Sequence, residues 1–331
     1  MSENGKPKFA MYWAASCGGC EIAVLNIHEK ILDFDANFEV AFWPVAMDAK
    51  YKDVEALEDG EILLTLFNGG IRNDENEHIA KLLRQKSQIM VAFGSCANEG
   101  CIPGLANLSP IESLFETVYN TVSTENEEGI RPQSSYEMPE GTIHIPEMYP
   151  VLRTLDQVIG VDYYMPGCPP ESHQVAAVVD LVISVVKGEA VLPPKGTVIG
   201  AGNSTVCDEC ERTRNVKKIK KFVRIQDIER FDPEICLLEQ GLICNGPATL
   251  SGCMAKCPTS GAPCVGCYGP GPRVLDYGAR MVAALASVIY SRGPVEIEAI
   301  LDGIVDPAGT FYKFNLAHSL LKTGKASWNG N

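Results

Sequence analysis

The cysteines constrain this chain more than any other feature of its sequence. There are thirteen of them among 331 residues, three Cys-x-x-Cys pairs occur, and eight cysteines are crowded between Cys207 and Cys267. Scattered buried thiols, which behave as small apolar side chains, would explain a few cysteines but neither the pairs nor the crowding. In a reducing compartment such cysteines are not expected to form structural disulfides. We therefore expect them to bind metal or to act in redox chemistry.

Composition and charge exclude several other classes of protein. The net charge of −14 disfavours nucleic-acid binding, which normally requires a basic surface. The best candidate for a membrane span, residues 176–186, is too short and contains Asp180. The N-terminal residues show neither a signal-peptide apolar core nor a twin-arginine pair, so we expect a cytoplasmic location.

Short apolar runs alternate with helical patterns in the first half of the chain. Strands are predicted at 8–14, 38–46, 61–67, 88–93 and 158–165, and helices at 20–32, 73–86 and 172–188. Strands that alternate with helices pair in parallel through right-handed crossovers. This pattern predicts an α/β fold with a flavodoxin-like, doubly wound parallel sheet. The polar, proline-dotted segment 120–149 is predicted to be a loop, either solvated without a role or used for contact with a partner.

Four cysteines follow the predicted strands. Cys17 and Cys20 follow the first strand, Cys96 the fourth and Cys168 the fifth. Ligands of such sheets collect where the carboxyl ends of the strands meet, so these four thiols could come together around an inorganic cluster. A thioredoxin-like dithiol formed by CGGC is the sharpest alternative, but it leaves Cys96 and Cys168 unexplained.

The second half of the chain is a cysteine cassette that follows a predicted linker at 192–196. Its eight cysteines divide into two sets of four, and iron–sulfur clusters take four thiolates each. Two structural zinc sites would satisfy the same count. We predict a flavodoxin-like domain over 1–190, followed by a smaller, mostly irregular or helical iron–sulfur domain over 191–331.

Two other segments of the cassette have no metal ligands of their own. The segment 212–224 has seven basic residues in thirteen. It could dock an acidic partner or balance the charge of a cluster, and a solvated helix face is an equally good interpretation. The segment 274–292 is predicted to be a helix that packs over the cassette.

The motifs CGGCE, FGSC and MPGCPP and the spacing of the cassette together resemble the small subunit of NiFe hydrogenases over nearly the whole chain. CDEC, CLLEQGLICNGPAT and CPTSGAPCVGCYGPGP resemble more narrowly the cytoplasmic methyl-viologen-reducing, F420-non-reducing type, which works with heterodisulfide reductase. The resemblance implies three 4Fe–4S clusters in this chain and a nickel–iron centre in a partner large subunit. Electrons from hydrogen would pass through this chain to a small iron–sulfur adaptor and then to the heterodisulfide reductase complex. The chain would hold no catalytic residue of its own.

The resemblance also assigns the cluster ligands residue by residue. The proximal cluster would be held by Cys17, Cys20, Cys96 and Cys168, the distal cluster by Cys207, Cys210, Cys236 and Cys244, and the medial cluster by Cys253, Cys257, Cys264 and Cys267. Periplasmic relatives typically have histidine at the position of Cys207 and often proline at that of Cys257, so both cysteines favour the cytoplasmic subclass and low-potential electron transfer.

The resemblance leaves one cysteine unassigned. Oxygen-tolerant relatives have two extra cysteines, at the positions of Cys101 and Gly19; because Gly19 has no thiol, oxygen tolerance is not implied and Cys101 is expected to be a buried spare thiol. Glu21 could accept protons or tune the proximal cluster, and a carboxylate at a helix start is an equally adequate explanation.

Several alternatives remain open at this point. The nearest is the small subunit of an F420-reducing hydrogenase. The related cluster subunit of complex I normally has adjacent cysteines in its proximal motif and no such cassette. A thioredoxin-like reductase and a zinc-binding scaffold without redox activity belong to different classes.

Overall fold

Strands and helices alternate along the first half of the protein. The computed structural model describes residues 5–215, 218–291 and 293–321. Within these residues the strands are β1 (Lys8–Trp13), β2 (Glu39–Phe42), β3 (Ile62–Asn68), β4 (Ile71–Asn73), β5 (Ser87–Phe93), β6 (Ser135–Met138), β7 (Gly141–His144), β8 (Met148–Arg153) and β9 (Tyr163–Met165).

The helices differ in length between the two halves. Over the described residues they are α1 (Gly19–Leu25), α2 (Lys30–Asn37), α3 (Tyr51–Glu55), α4 (Asp74–Lys86), α5 (Ser95–Glu99), α6 (Ile111–Tyr119), α7 (Ser172–Val186), α8 (Val206–Glu209), α9 (Lys256–Thr259), α10 (Tyr277–Ala286), α11 (Pro294–Leu301) and α12 (Pro307–Phe311). Among these described helices, none has both the length and the hydropathy that crossing a membrane requires.

A parallel sheet of five strands positions the first group of cysteines. The strand order is β2-β1-β3-β5-β9, which is the flavodoxin-like order of a doubly wound sheet. Phe9 and Met11 of β1 pack on one face, against α1 and α7, whereas Ala10 and Tyr12 pack on the other, against α4. Both faces are covered, as is usual for parallel sheets. The predicted flavodoxin-like α/β class is confirmed.

Several predicted elements are shorter than the sequence pattern indicated. The helix predicted at 20–32 is interrupted between α1 and α2, where His28 adopts a φ of 55° that is incompatible with a continuous helix. The strand predicted at 158–165 begins only at Tyr163. The preceding Asp162 instead turns its carboxylate to the backbone N–H of Met90, which lies 2.8 Å away.

The segment 120–149 contains more regular structure than the predicted loop. It includes the antiparallel hairpin β6–β7, in which every residue is exposed, and the first residues of β8, which pairs with β4. The hairpin is thus open to solvent, and its use in partner contact stays a prediction.

The second half consists of short helices and loops. The predicted linker lies beside β9, because the backbone N–H of Gly196 donates to the carbonyl of Asp162 at 2.8 Å. The described parts of 212–224 are not helical; Ile219 and Phe222 are buried there, so the helix-face interpretation is wrong for these residues. Helix α10 covers only part of the predicted helix at 274–292, and Arg292 lies outside the described residues. The domain boundary at 190/191 stays a prediction.

Candidate metal centres

The predicted proximal ligands lie at the carboxyl edge of the sheet. Cys20 is in the first turn of α1, after β1, and Cys96 is in the first turn of α5, after β5. Two backbone hydrogen bonds join the ends of β5 and β9: Gly94 N–H donates to Met165 O and Ser95 N–H to Gly167 O, both at 2.8 Å. These bonds hold the loop of Cys168 beside the start of α5.

The close approach of α1 to the start of α5 requires a glycine at position 94. A Cβ at this position would lie 2.2 Å from Cys20 Sγ. Its φ of 80° and ψ of 160° also lie in a region that essentially only glycine occupies. The glycine of the FGSC motif therefore leaves the space that the Cys20 sulfur fills.

The thiols in this region interact with one another. Cys20 and Cys96 are buried, whereas Cys17 is exposed at the mouth of the site. Burial raises the pKa of the Cys20 thiol, and the neighbouring thiols of Cys168 and Cys17 raise it further. Ionised sulfurs are thus disfavoured here unless a positive charge compensates them.

Cys101 lies inside this group, although the sequence predicted only a spare buried thiol. It is 1% exposed, and its Sγ lies 3.6 Å from that of Cys168. Five thiols therefore surround a site for which the sequence predicted four ligands. Its offset of five residues from Cys96 was the only sequence signal for this position.

The four predicted distal ligands line one cavity. Cys207, Cys210, Cys236 and Cys244 all contribute to its wall. Gly246 lies against it, where a Cβ would be only 3.0 Å from Cys207 Sγ. Burial raises the pKa of Cys207 to about 12, with further contributions from Cys244 and Cys236.

The four predicted medial ligands line a second cavity, of about 300 Å³. Cys253, Cys257, Cys264 and Cys267 are all in its wall, and Cys168 of the first group lies there as well. Burial raises the pKa of Cys267 to about 12, and the thiols of Cys253 and Cys168 raise it further. This cavity therefore borders the site at the sheet edge.

The three groups of thiols are arranged in a row. Cys168 and Cys267 pack with Cys96 and Cys101, which joins the first group to the 300 Å³ cavity. Cys264 of that cavity also contacts the distal group, because its backbone N–H donates to Cys244 Sγ at 3.3 Å. The order in space is sheet edge, 300 Å³ cavity, and then the cavity of Cys207.

The chemistry of these donors fits iron–sulfur clusters. None of the thirteen cysteines forms a disulfide. Among the described residues, no three Cys, His, Asp or Glu side chains converge on a point that one metal ion would occupy. The predicted distal and medial ligands line cavities, and four thiols per group match the number of ligands that an iron–sulfur cluster takes.

Two charged residues near the thiols are buried. The indole Nε1 of Trp43 donates to Glu21 Oε2 at 2.5 Å, and burial raises the pKa of this carboxyl group. Arg212, which the sequence grouped with the basic segment, is 8% exposed and donates to the carbonyls of Pro258 and Ile235 at 2.7 and 3.0 Å. Arg212 thus joins the chain next to Cys257 with the chain next to Cys236, which its sequence context alone did not indicate.

Comparisons with known proteins agree with this architecture. The family model of the NADH ubiquinone oxidoreductase 20 Kd subunit matches residues 17–182. The iron–sulfur subunit of the F420-non-reducing hydrogenase of Archaeoglobus profundus is 43% identical over 290 residues, which cover 85% of this chain and 88% of that protein. A subunit of the F420-non-reducing hydrogenase of Methanothermobacter marburgensis is 36% identical over 321 residues, 96% of either protein.

A solved structure shows the same fold. A chain of the NiFeSe hydrogenase of Desulfovibrio vulgaris Hildenborough aligns with 80% of this chain and 94% of its own length, with a TM-score of 0.51 and 16% identity. This likeness shows the fold, and the two relatives, which match over most of their length, identify the family. The chain belongs to the NiFe hydrogenase small subunits, among the iron–sulfur subunits of F420-non-reducing hydrogenases.

Proposed function

We propose that this chain relays electrons between the large subunit of a NiFe hydrogenase and an iron–sulfur acceptor, through three 4Fe–4S clusters. The observation that carries the proposal is the row of three thiol groups, each with four predicted ligands. Cys17 of the first group and Cys257 of the middle group are exposed, and Cys207 and Cys210 of the third group are partly exposed. Each cluster would supply reversible one-electron transfer when it is bound.

The residues of the chain hold these groups and exclude water from them. Cys17, Cys20, Cys96 and Cys168 would hold the proximal cluster, Cys253, Cys257, Cys264 and Cys267 the medial one, and Cys207, Cys210, Cys236 and Cys244 the distal one. The pKa values of Cys20, Cys207 and Cys267 are raised by burial, so these three thiols would lose a proton when metal binds. The N–H of Cys264 on Cys244 Sγ provides a short contact between the medial and distal groups.

The surface near Cys17 supports contact with the large subunit there. Trp13, Ile22 and Leu25 are 41%, 56% and 51% exposed at or near α1, which begins beside Cys17. Exposed apolar side chains in one region indicate a surface that another protein covers. Electrons from hydrogen would therefore enter at the sheet edge.

The surface near the distal group supports exit to a different partner. Arg214 lines the cavity of Cys207, and Lys220 and Lys221 of the basic segment are exposed. On a chain with a net charge of −14, exposed basic residues in this segment favour an acidic partner. We propose the small iron–sulfur adaptor and, through it, the heterodisulfide reductase complex as this partner, in the cytoplasm.

The test is hydrogen-dependent electron transfer in the purified complex, with Cys236→Ser as the variant. Wild-type complex should reduce the adaptor under hydrogen and should reduce viologen but not F420. Cys236→Ser should abolish reduction of the adaptor, while the clusters of the other two groups are still reduced under hydrogen. Unchanged adaptor reduction in this variant would refute the proposed exit, and hydrogen-dependent F420 reduction would favour the F420-reducing type.

A further inference from the structure

A buried chain of hydroxyl groups ends on one of the predicted medial ligands. Thr249 Oγ1 lies 3.4 Å from Cys264 Sγ, and the hydroxyl of Tyr277 lies 2.8 Å from Thr249 Oγ1. Thr249 is 1% exposed and Tyr277 is 3% exposed. Both hydroxyl groups therefore have to find their hydrogen-bond partners within the protein.

The partners of this chain depend on whether Cys264 carries a proton. As a thiol, Cys264 donates to Thr249, and Thr249 donates to the carbonyl oxygen of Asn245, 2.6 Å away. As a metal-bound thiolate, its sulfur can only accept a hydrogen bond. The Thr249 hydroxyl then turns to the sulfur while Tyr277 donates to Thr249 Oγ1 at 2.8 Å, and the released carbonyl of Asn245 still accepts the backbone N–H groups of Ala248 and Thr249, both at 3.2 Å. One rearrangement thus satisfies every group.

Tyr277 is held in place as a donor. Burial raises the pKa of its hydroxyl well above the ordinary value, so the group stays protonated. A Cβ on Gly266 would lie 2.2 Å from the tyrosine oxygen, so this glycine leaves the space that the hydroxyl occupies. Tyr277 also packs in the core that contains Met281 and Leu285 of α10. Its position is therefore fixed by the fold around it.

We infer that Thr249, positioned by Tyr277, donates a hydrogen bond to the Cys264 thiolate and raises the reduction potential of the medial cluster. The inference rests on the proposed function. A hydrogen bond to a ligand sulfur stabilises the reduced state, which carries the additional negative charge. Cys264 also donates its N–H to Cys244 Sγ of the distal group. The hydroxyl chain thus acts where the medial and distal groups are in contact, and it sets the difference in potential between them.

The test compares midpoint potentials in the assembled hydrogenase complex by EPR-monitored redox titration. Thr249→Val removes the hydroxyl at nearly constant volume, Thr249→Ser retains it, and Tyr277→Phe removes the positioning group. Thr65→Val is the matched control, because Thr65 is a fully buried threonine that bonds to Ser87 Oγ, at 2.6 Å, and to no cysteine.

Thr249→Val should lower the midpoint potential of one cluster, and Tyr277→Phe should lower the potential of the same cluster by a smaller amount. Thr249→Ser, which keeps the hydroxyl, should have the wild-type potential. Thr65→Val should leave every potential unchanged. If Thr249→Val loses iron, Tyr277→Phe becomes the test of the inference. An unchanged midpoint potential of every cluster in Tyr277→Phe then overturns the inference. Wild-type complex that lacks a third cluster would overturn the proposed function and the inference together, whereas three clusters with unchanged potentials in the variants would overturn the inference alone.

Discussion

Gly94 offers a direct test of how the sheet edge builds the proximal site. In a Gly94→Ala variant, the new Cβ would lie 2.2 Å from Cys20 Sγ and 3.5 Å from the carbonyl oxygen of Gly167. The backbone contact is close to an ordinary van der Waals distance, but the contact with sulfur is not. The Cys20 side chain must therefore move away from the position that faces Cys168.

Two contributions set how much stability the Gly94→Ala variant loses. The φ of 80° and ψ of 160° at Gly94 cost a residue with a Cβ about 1–3 kcal/mol. Displacing Cys20 from its rotamer adds about 1 kcal/mol. The sum of about 2–4 kcal/mol is less than the usual free energy of unfolding of about 5–15 kcal/mol. We expect the variant to fold, with lower stability and without Cys20 as a ligand.

The assay is iron and acid-labile sulfide analysis together with thermal unfolding. Gly94→Ala should lose about four of twelve iron atoms, while the clusters of the second half remain. Gly188→Ala is the matched control, because Gly188 also has a positive φ, of 76°, but a Cβ added there would meet no other atom within 4 Å. The control should lose stability without losing iron. A full complement of iron in Gly94→Ala would refute the placement of Cys20 at this site.

Three further predictions concern groups that surround the thiols. Burial raises the pKa of Glu99 from 4.5 to about 7, so the folded protein keeps a proton that the unfolded chain releases, and stability falls as pH rises through this window. As the pH rises from 4.5 to 8, the free energy of unfolding of Glu99→Gln should therefore increase relative to wild type by up to about 3 kcal/mol, and the nearby His318 reduces this difference. Parallel curves of stability against pH, measured by chemical denaturation, would contradict this. Cys101→Ala should retain about twelve iron atoms and lose about 1 kcal/mol of stability, because the four predicted proximal ligands remain. A loss of about four iron atoms would instead make Cys101 a ligand. The iron yield of cluster reconstitution in the metal-free chain should increase from about pH 6 to pH 9, because Cys207 and Cys267 must lose protons when they bind metal and burial raises both of their pKa values to about 12. An iron yield that does not depend on pH would contradict this.

Local sequence patterns predicted the sheet better than they predicted the contacts around the thiols. The runs that became β3 and β5 are apolar on both faces, and this pattern is typical of strands in a covered parallel sheet. The helix predicted at 73–86 agrees closely with α4, because Asn73 caps it by accepting from the N–H of Asn76 at 2.8 Å. By contrast, the break at His28 depends on how two helices pack on the sheet, so the periodicity of one segment did not contain it.

The arrangement of the sites depended on contacts that are distant in sequence. The resemblance to a family assigned each cysteine of the second half to a set. The cysteine pattern alone indicated only that these eight cysteines could form two sets of four. Arg212 reaches Pro258, and Tyr277 reaches Thr249; neither pair has a local pattern that would reveal it. Cys101 stands beside Cys168 because β5 and β9 are neighbours in the sheet. Such contacts follow from the topology, and they became visible only in the folded chain.

The central claim is that this chain holds three four-iron clusters, and metal analysis tests it most directly. Iron, acid-labile sulfide and zinc would be measured in the anaerobically purified complex, after subtraction of the iron in the isolated large subunit. We predict about twelve iron and twelve sulfide per chain, with no stoichiometric zinc. About four iron with about two zinc would contradict the claim, because the second half of the chain would then be a zinc scaffold and could not relay electrons.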